Sequence, residues 1–310
     1  MTILNLQSDG LPPILITLAM TVAKEREIAR DNLIDMCSPP ADITSDKEGD
    51  TSPSAKVRAT LNRWTSFGLF EDVGGKIKLR FAPKRGEASE SFELRLPGIC
   101  TSLLVQSEVA LPLWPHESVV SEDNIGRSAD LCRGLAWCLA QDIYDLPSVY
   151  KDVDALVRSQ IEVGRFVFLN DTRWTGLRSW ARYLGFATGT GAGFLFDPTI
   201  VVRAQLKEVM QKKESLFAAE FVSRLAARVP VLDRGIYRIE VEQALRTQTW
   251  RAPATDHLSS SLSIALRRLQ KQGTIALESM ADAGSRLALT GQRGRTWQEF
   301  THVRLLRSEE

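Results

Sequence analysis

The chain has 310 residues, 44% of them hydrophobic and 25% charged, with a formal net charge of +1. These are the proportions of an ordinary folded protein long enough for two or three domains, and no global excess of charge points to a polyanionic partner. The four cysteines form no C-x-x-C pair, which argues against a zinc site and for free thiols. The longest apolar run near the start, 14–20, is too short to span a bilayer and carries no cleavage pattern, so the chain reads as cytoplasmic.

In chain order, 1–10 reads as an extended lead-in. Leu11-Pro12-Pro13 opens a helix, since proline is tolerated in a first turn, and Ile14, Leu15, Leu18 and Val22 form its buried stripe. A second helix is predicted over 27–37, with Ile28, Leu33 and Ile34 inward, and the Ser-, Asp- and Pro-rich 38–54 reads as a loop. From Pro53 a third helix places Val57, Leu61 and Trp64 on one face and Lys56, Thr60 and Arg63 on another. Gly68 ends it as a C′ glycine does. Segments 69–73 and 76–81 flank Gly74-Gly75, and two glycines can take the positive φ values of a type I′ hairpin.

Beyond this, 82–91 reads as a linker, the alternation of Phe92, Leu94 and Leu96 predicts a strand, and 98–109 a further apolar segment. From Asp123 the pattern is helical, with Leu131, Leu135, Cys138 and Leu139 on one face, and another helix spans 148–167. Asp171 or Thr172 caps the helix carrying Trp174 and Trp180, with Trp64 and Trp174 assigned to core, and Asp197-Pro198-Thr199 caps a helix over 200–213. Helices follow over 215–228 and 238–247, then one capped by Thr255 or Asp256. A last helix over 292–307 turns Trp297, Phe300 and Val303 inward.

The register of the third helix recurs. Leu262, Leu266 and Leu269 repeat its spacing, Gly273 follows, and segments 274–279 and 285–290 flank a turn over 280–284. A looser copy has Trp174, Leu177, Ala181 and Leu184, then Gly185, with 186–187 and 193–196 as a short wing. The expected fold is mainly α with small β-hairpin wings, two or three such units standing around a helical middle. Its divisions are 1–85, 92–213 (the third unit at 171–199) and 215–310.

Charge is segregated along the chain. Residues 54–85 hold eight Lys/Arg against two Asp/Glu, a local +6, whereas 104–163 hold four against ten, a local −6. A helix followed by a hairpin, both basic, resembles the recognition helix and wing of the winged helix-turn-helix superfamily, over 11–81 and 215–290. In such domains the third helix enters the major groove of double-stranded DNA. Its readers here would be Ser54, Lys56, Arg58, Thr60 and Arg63, and in the last unit Ser260, Ser263, Arg267, Arg268 and Lys271. Lys76, Lys78 and Arg80 of the wing would meet phosphates, which give salt-dependent affinity with little sequence information. Reading a base with Arg63 would make Arg63→Ala cost ~1–3 kcal/mol of binding.

His116, His257 and His302 fall in no zincin pattern, and the glycine-rich 185–193 lacks the Lys-Ser or Lys-Thr of a phosphate loop. The acid pairs Asp142/Asp145 and Asp152/Asp154 would suit magnesium, but no Glu-x-Lys accompanies them, and no Gly-x-Ser-x-Gly elbow occurs. No enzyme, cofactor or metal is expected. The alternatives are an adaptor whose winged units dock proteins, and a magnesium nuclease built on the middle acids.

A second likeness rests on Thr2-Ile3-Leu4-Asn5 with Gly10-Leu11-Pro12, the tryptophan-bearing helix ending Tyr183-Leu184-Gly185, and Asp197-Pro198-Thr199. These resemble the DpdG-like accessory proteins of bacterial Dpd gene islands, which insert 7-deazaguanine into DNA and restrict unmodified DNA. The resemblance implies a non-catalytic DNA-binding or scaffold subunit in antiviral defence, with helicase and nuclease partners. The oligomeric state is left open, a homodimer included.

Overall fold

The structure is a computed structural model that describes residues 2–4, 12–38, 53–115, 125–162, 165–211, 213–280 and 285–306. Helix α1 (Pro12–Glu25) begins on its prolines and buries Leu15, Leu18, Ala19 and Val22. The next segment differs from expectation. Ile28–Ala29 is a strand, β1, and helix α2 (Arg30–Cys37) starts only after it. The reason is pairing: Ile28 and Ala29 lie opposite Ile77 and Lys76 and add a third strand to the hairpin. Helix α3 (Pro53–Ser66) leads through Gly68, at φ 85°, into β2 (Phe70–Val73) and β3 (Lys76–Leu79). Gly74 and Gly75 take φ values of 61° and 78°, so the two-residue turn has the double positive φ that only glycine adopts without strain. The order is therefore helix, strand, helix, helix, hairpin, with sheet order β1-β3-β2. The expected lead-in and most of the 38–54 loop lie outside the described residues, as do His116 and the 281–284 turn.

The strand expected at Phe92, Leu94 and Leu96 is instead part of helix α4 (Ser89–Leu104). Phe92, Leu96, Ile99, Cys100 and Leu103 are buried at helical spacing, while Leu94 is 83% exposed. Three alternating residues were too short a sample to separate the two periods. The short α5 (Ser107–Ala110) leads to α6 (Ala129–Ala140), every residue of which is buried. Helix α7 (Tyr150–Gln160) is shorter than expected. Helix α8 (Asp171–Tyr183) is capped by neither Asp171 nor Thr172 but by Asn170, whose Oδ1 accepts from the Arg173 amide at 3.0 Å. Trp174, Leu177, Trp180, Ala181 and Leu184 are buried. The looser wing is a single antiparallel bridge, Thr188 to Leu195, around a 3-10 turn at Gly191–Gly193. Asp197 Oδ1 accepts from the Thr199 amide at 3.0 Å and starts α9 (Thr199–Met210).

The C-terminal unit comprises β4 (Ser215–Phe217), α10 (Ala218–Arg228), α11 (Ile236–Gln243), α12 (Ser260–Lys271) and four more strands. The cap of α12 is Ser259, whose Oγ accepts from the Leu262 amide at 3.2 Å, in place of Thr255 or Asp256. The expected hairpin between 274–279 and 285–290 does not form. Strands β5 (Ile275–Glu278) and β6 (Leu287–Thr290) exist but pair elsewhere. Their partners are β8 (His302–Leu305) and β7 (Thr296–Phe300), which occupy the stretch expected to be a closing helix. Strand β8 also pairs with β4, giving the order β4-β8-β5. Trp297, Phe300 and Val303 are spaced like a helical stripe, but Thr301 separates two strands there. Its amide donates to Glu278 O at 2.8 Å, and Phe300 and Val303 are buried on either side. A continuous cluster of buried side chains runs from Ile3 through Trp137 to Val303, with α11 and α12 packed on α6, and α9 on α12. Among the described residues no helix is long and apolar enough to cross a membrane.

Candidate nucleic-acid interface

Helix α3 is fixed by its inner face. Val57, Leu61 and Trp64 are buried, and the Trp64 ring sits 5.4 Å from Phe67 and 5.6 Å from Trp180 of α8. Its other side carries exposed Arg58, with Ser54 and Lys56 half-buried. Thr60 belongs to neither edge: it is buried, and its hydroxyl donates back to Lys56 O at 2.9 Å. Arg63 is half-buried and donates from Nη1 to Thr2 O at 2.5 Å, which ties the helix to the start of the chain. Arg30 of α2 links α3 to the hairpin, donating to Asn62 Oδ1 and, at 3.0 Å, to Asp72 Oδ2.

On the hairpin, strand alternation puts Ile77 and Leu79 inside and Lys76, Lys78 and Arg80 outside. The two lysines share one carboxylate, Lys76 Nζ lying 2.7 Å and Lys78 Nζ 2.5 Å from the two oxygens of Glu27. The hydrogen bonds from Lys76 and then Lys78 hold the Glu27 carboxyl at about 2, far below the ordinary 4.5. Arg80 is exposed, with its guanidinium 5.9 Å from the Phe81 ring. The hairpin thus carries Lys76, Lys78 and Arg80 against its own Glu71 and Asp72, with Asp72 held by Arg30 and Glu27 bound to both lysines. Sequence reasoning missed Arg127, which approaches from the middle of the chain. Its Nη1 donates to Ser66 O at 2.6 Å, and with Asn62, Arg63 and Phe67 it lines a recess of about 250 Å³ beside α3.

The matching face of α12 is arranged differently. Ser260 and Ser263 are buried. Ser260 Oγ accepts from the Ile143 amide at 3.1 Å and donates to Gln141 O at 3.3 Å, and Ser263 Oγ accepts from the Thr290 amide at 2.8 Å. Neither hydroxyl reaches the surface. Arg267 Nη1 is held between Gln270 and Gln298 at 2.8 and 2.9 Å, and Arg268 is paired with the buried carboxylate of Asp197. Lys271 is exposed, and so is Arg268 despite its ion pair. The small side chains of Ser260 and Ser261 let α12 lie close to the end of α6, whose carbonyls take their protons: Ser260 Oγ donates to Gln141 O and Ser261 Oγ to Leu139 O at 2.8 Å, while Ser259 Oγ donates to Asp233 Oδ1 at 2.6 Å. That run of serines was the readable signal for a packed face.

Three of the four acids considered for magnesium, Asp142, Asp145 and Asp154, have structural partners. Asp142 Oδ2 accepts from the Arg293 amide at 2.8 Å, Asp145 Oδ1 from Gln292 Nε2 at 3.3 Å, and Asp154 pairs with Arg158 at 2.8 Å. Among the described residues no three His, Cys, Asp or Glu side chains cluster as metal ligands. His257 sits between Asp256 and Thr296 at 2.8 and 3.0 Å, and His302 bonds Thr301 at 2.9 Å.

No curated protein and no solved structure matches the chain. A family model described as DpdG-like matches residues 1–283, which takes in the helix-and-hairpin unit, the whole middle and α12. On that coverage the chain belongs to the DpdG-like family.

Proposed function

We propose that this protein is a non-catalytic, double-stranded-DNA-binding subunit of a Dpd modification and restriction system, and that its N-terminal unit is a winged helix. The family supports the system, and the resemblance noted above supports helicase and nuclease partners. The observation that carries the DNA reading is the grouping of exposed Arg58 and half-buried Lys56 with Lys76, Lys78 and Arg80 on one helix-and-hairpin unit. In this reading α3 enters the major groove. Arg58 offers a planar fork that can donate two bonds to one guanine. Lys76 and Lys78 exchange their shared carboxylate for phosphate, so binding releases counterions from the duplex.

A gel-shift titration over a salt series tests this. With about five phosphate contacts, log K should fall with log salt at a slope of about −4 to −5. Absence of a shift at low salt would refute the reading.

A further inference from the structure

A second cationic surface lies next to the hairpin and is concave. A cleft of about 870 Å³ opens between the end of α1 and the segment that joins β3 to α4. Lys24 and Arg26 border it on one side, Lys84 and Arg85 on the other, and all four are exposed. None of the four has an ion-pair partner among the described residues. Glu25 is exposed between Lys24 and Arg26 in the sequence, and Glu87 lines the cleft, its Oε2 accepting from the Lys84 amide at 2.7 Å. Glu27 holds Lys76 and Lys78. Glu87 receives Arg95 through two bonds of 2.9 and 2.8 Å, which hold its carboxyl at about 2. Arg26 is placed by a left-handed backbone, φ 63°, a region that costs a non-glycine residue energy and that asparagine tolerates better.

The floor of this cleft is apolar. Val22, Leu79 and Phe92 close it from the core, and half-buried Met20, Ala23 and Pro83 face into its walls. A duplex presents a convex row of phosphates and has no use for such a floor. An unpaired strand offers both chemistries, phosphates for the cationic rim and the apolar faces of bases for half-buried Met20, Ala23 and Pro83. We infer that this cleft binds single-stranded nucleic acid, separately from any duplex bound across α3 and the hairpin. The inference stands whether or not α3 reads a duplex, because it uses none of the same side chains.

The test is a fluorescence-anisotropy titration of the full chain with a labelled oligothymidylate and, in parallel, with a labelled duplex. Lys84→Glu combined with Arg85→Glu should weaken oligothymidylate binding by about ten-fold or more, with duplex affinity changed by less than about two-fold. Arg58→Ala should do the reverse. Lys24→Gln with Arg26→Asn, which keeps a residue suited to the left-handed turn, should repeat the first result and decides the matter if the charge reversal fails to fold. No oligothymidylate binding by the unaltered chain would overturn the inference. So would equal binding by both cleft variants, a parallel loss of duplex and single strand, or displacement of the oligonucleotide by polyglutamate as readily as by unlabelled oligothymidylate.

Discussion

Helices α3 and α12 carry the same apolar spacing and the same trailing glycine, yet their outer faces meet different surroundings. On α3 the residues beside Val57, Leu61 and Trp64 are long and charged, and the face opens to solvent at Arg58. On α12 the first turn carries serines, and there the face closes against α6, while Arg267, Arg268 and Lys271 stand on the later turns. Apolar periodicity therefore identifies the side of a helix that must be buried, while the size of the polar residues opposite decides whether protein covers that side too. A hydroxyl on a short stem can satisfy a neighbouring carbonyl at close range, whereas a guanidinium on a long stem needs room and a counter-charge.

The sharpest way to break this comparison is to give α12 the chemistry of α3. Ser263→Arg would push a charged side chain into a site that has no exposure and would remove the acceptor for the Thr290 amide. A loss of about 3 kcal/mol or more is expected, and urea denaturation would measure it. Next comes the shared inner face. Trp64→Ala should cost about 3–5 kcal/mol, because the cavity also removes the ring that α8 packs against through Trp180. The outer faces should then separate by assay. Arg58→Ala should lower duplex binding by ~1–3 kcal/mol and leave the thermal midpoint unchanged. Arg268→Ala, which strips the partner from buried Asp197, should cost roughly 1–2 kcal/mol of stability and leave duplex binding within about two-fold.

The smallest effect concerns Glu27. Glu27→Gln frees Lys76 and Lys78 and should raise duplex affinity by roughly two- to five-fold. Because the folded-state value of Glu27 lies near 2, below its ordinary 4.5, whatever the ion pair contributes is present above 4.5 and is lost as pH falls through about 2. An NMR titration of the Glu27 carboxylate should therefore show a midpoint near 2. A midpoint near 4.5 would mean that the lysines are already free.

The N-terminal unit was legible because its signals are local. Four-then-three spacing, a C′ glycine and a two-glycine turn all act within thirty residues of chain. Strand β1 was not legible, since two residues acquire strand geometry only from Ile77 and Lys76, far along the sequence. The same holds at the other end. Trp297, Phe300 and Val303 satisfy a helical spacing by themselves, and only pairing with β6, β5 and β4 makes them strands. Of the candidate site, the exposed cations of α3 and the hairpin could be read from alternation. Arg127, Glu27 and the serine contacts of α12 could not, because each depends on a partner brought in by the fold. The four cations of the cleft were scattered over 24–85 and met only when α1 and the β3–α4 segment came together.

Helix α6 has one more consequence. Cys132 and Cys138 sit on it with no surface exposure, and burial pushes both thiols up, Cys132 to about 12 and Cys138 well above its ordinary value. At neutral pH such sulfurs are protonated and unreachable, so an alkylating reagent must wait for the surrounding helices to part. The speed with which these two positions take up label is then a clock for large-scale opening, and a bound nucleic acid that braces the folded chain would slow it.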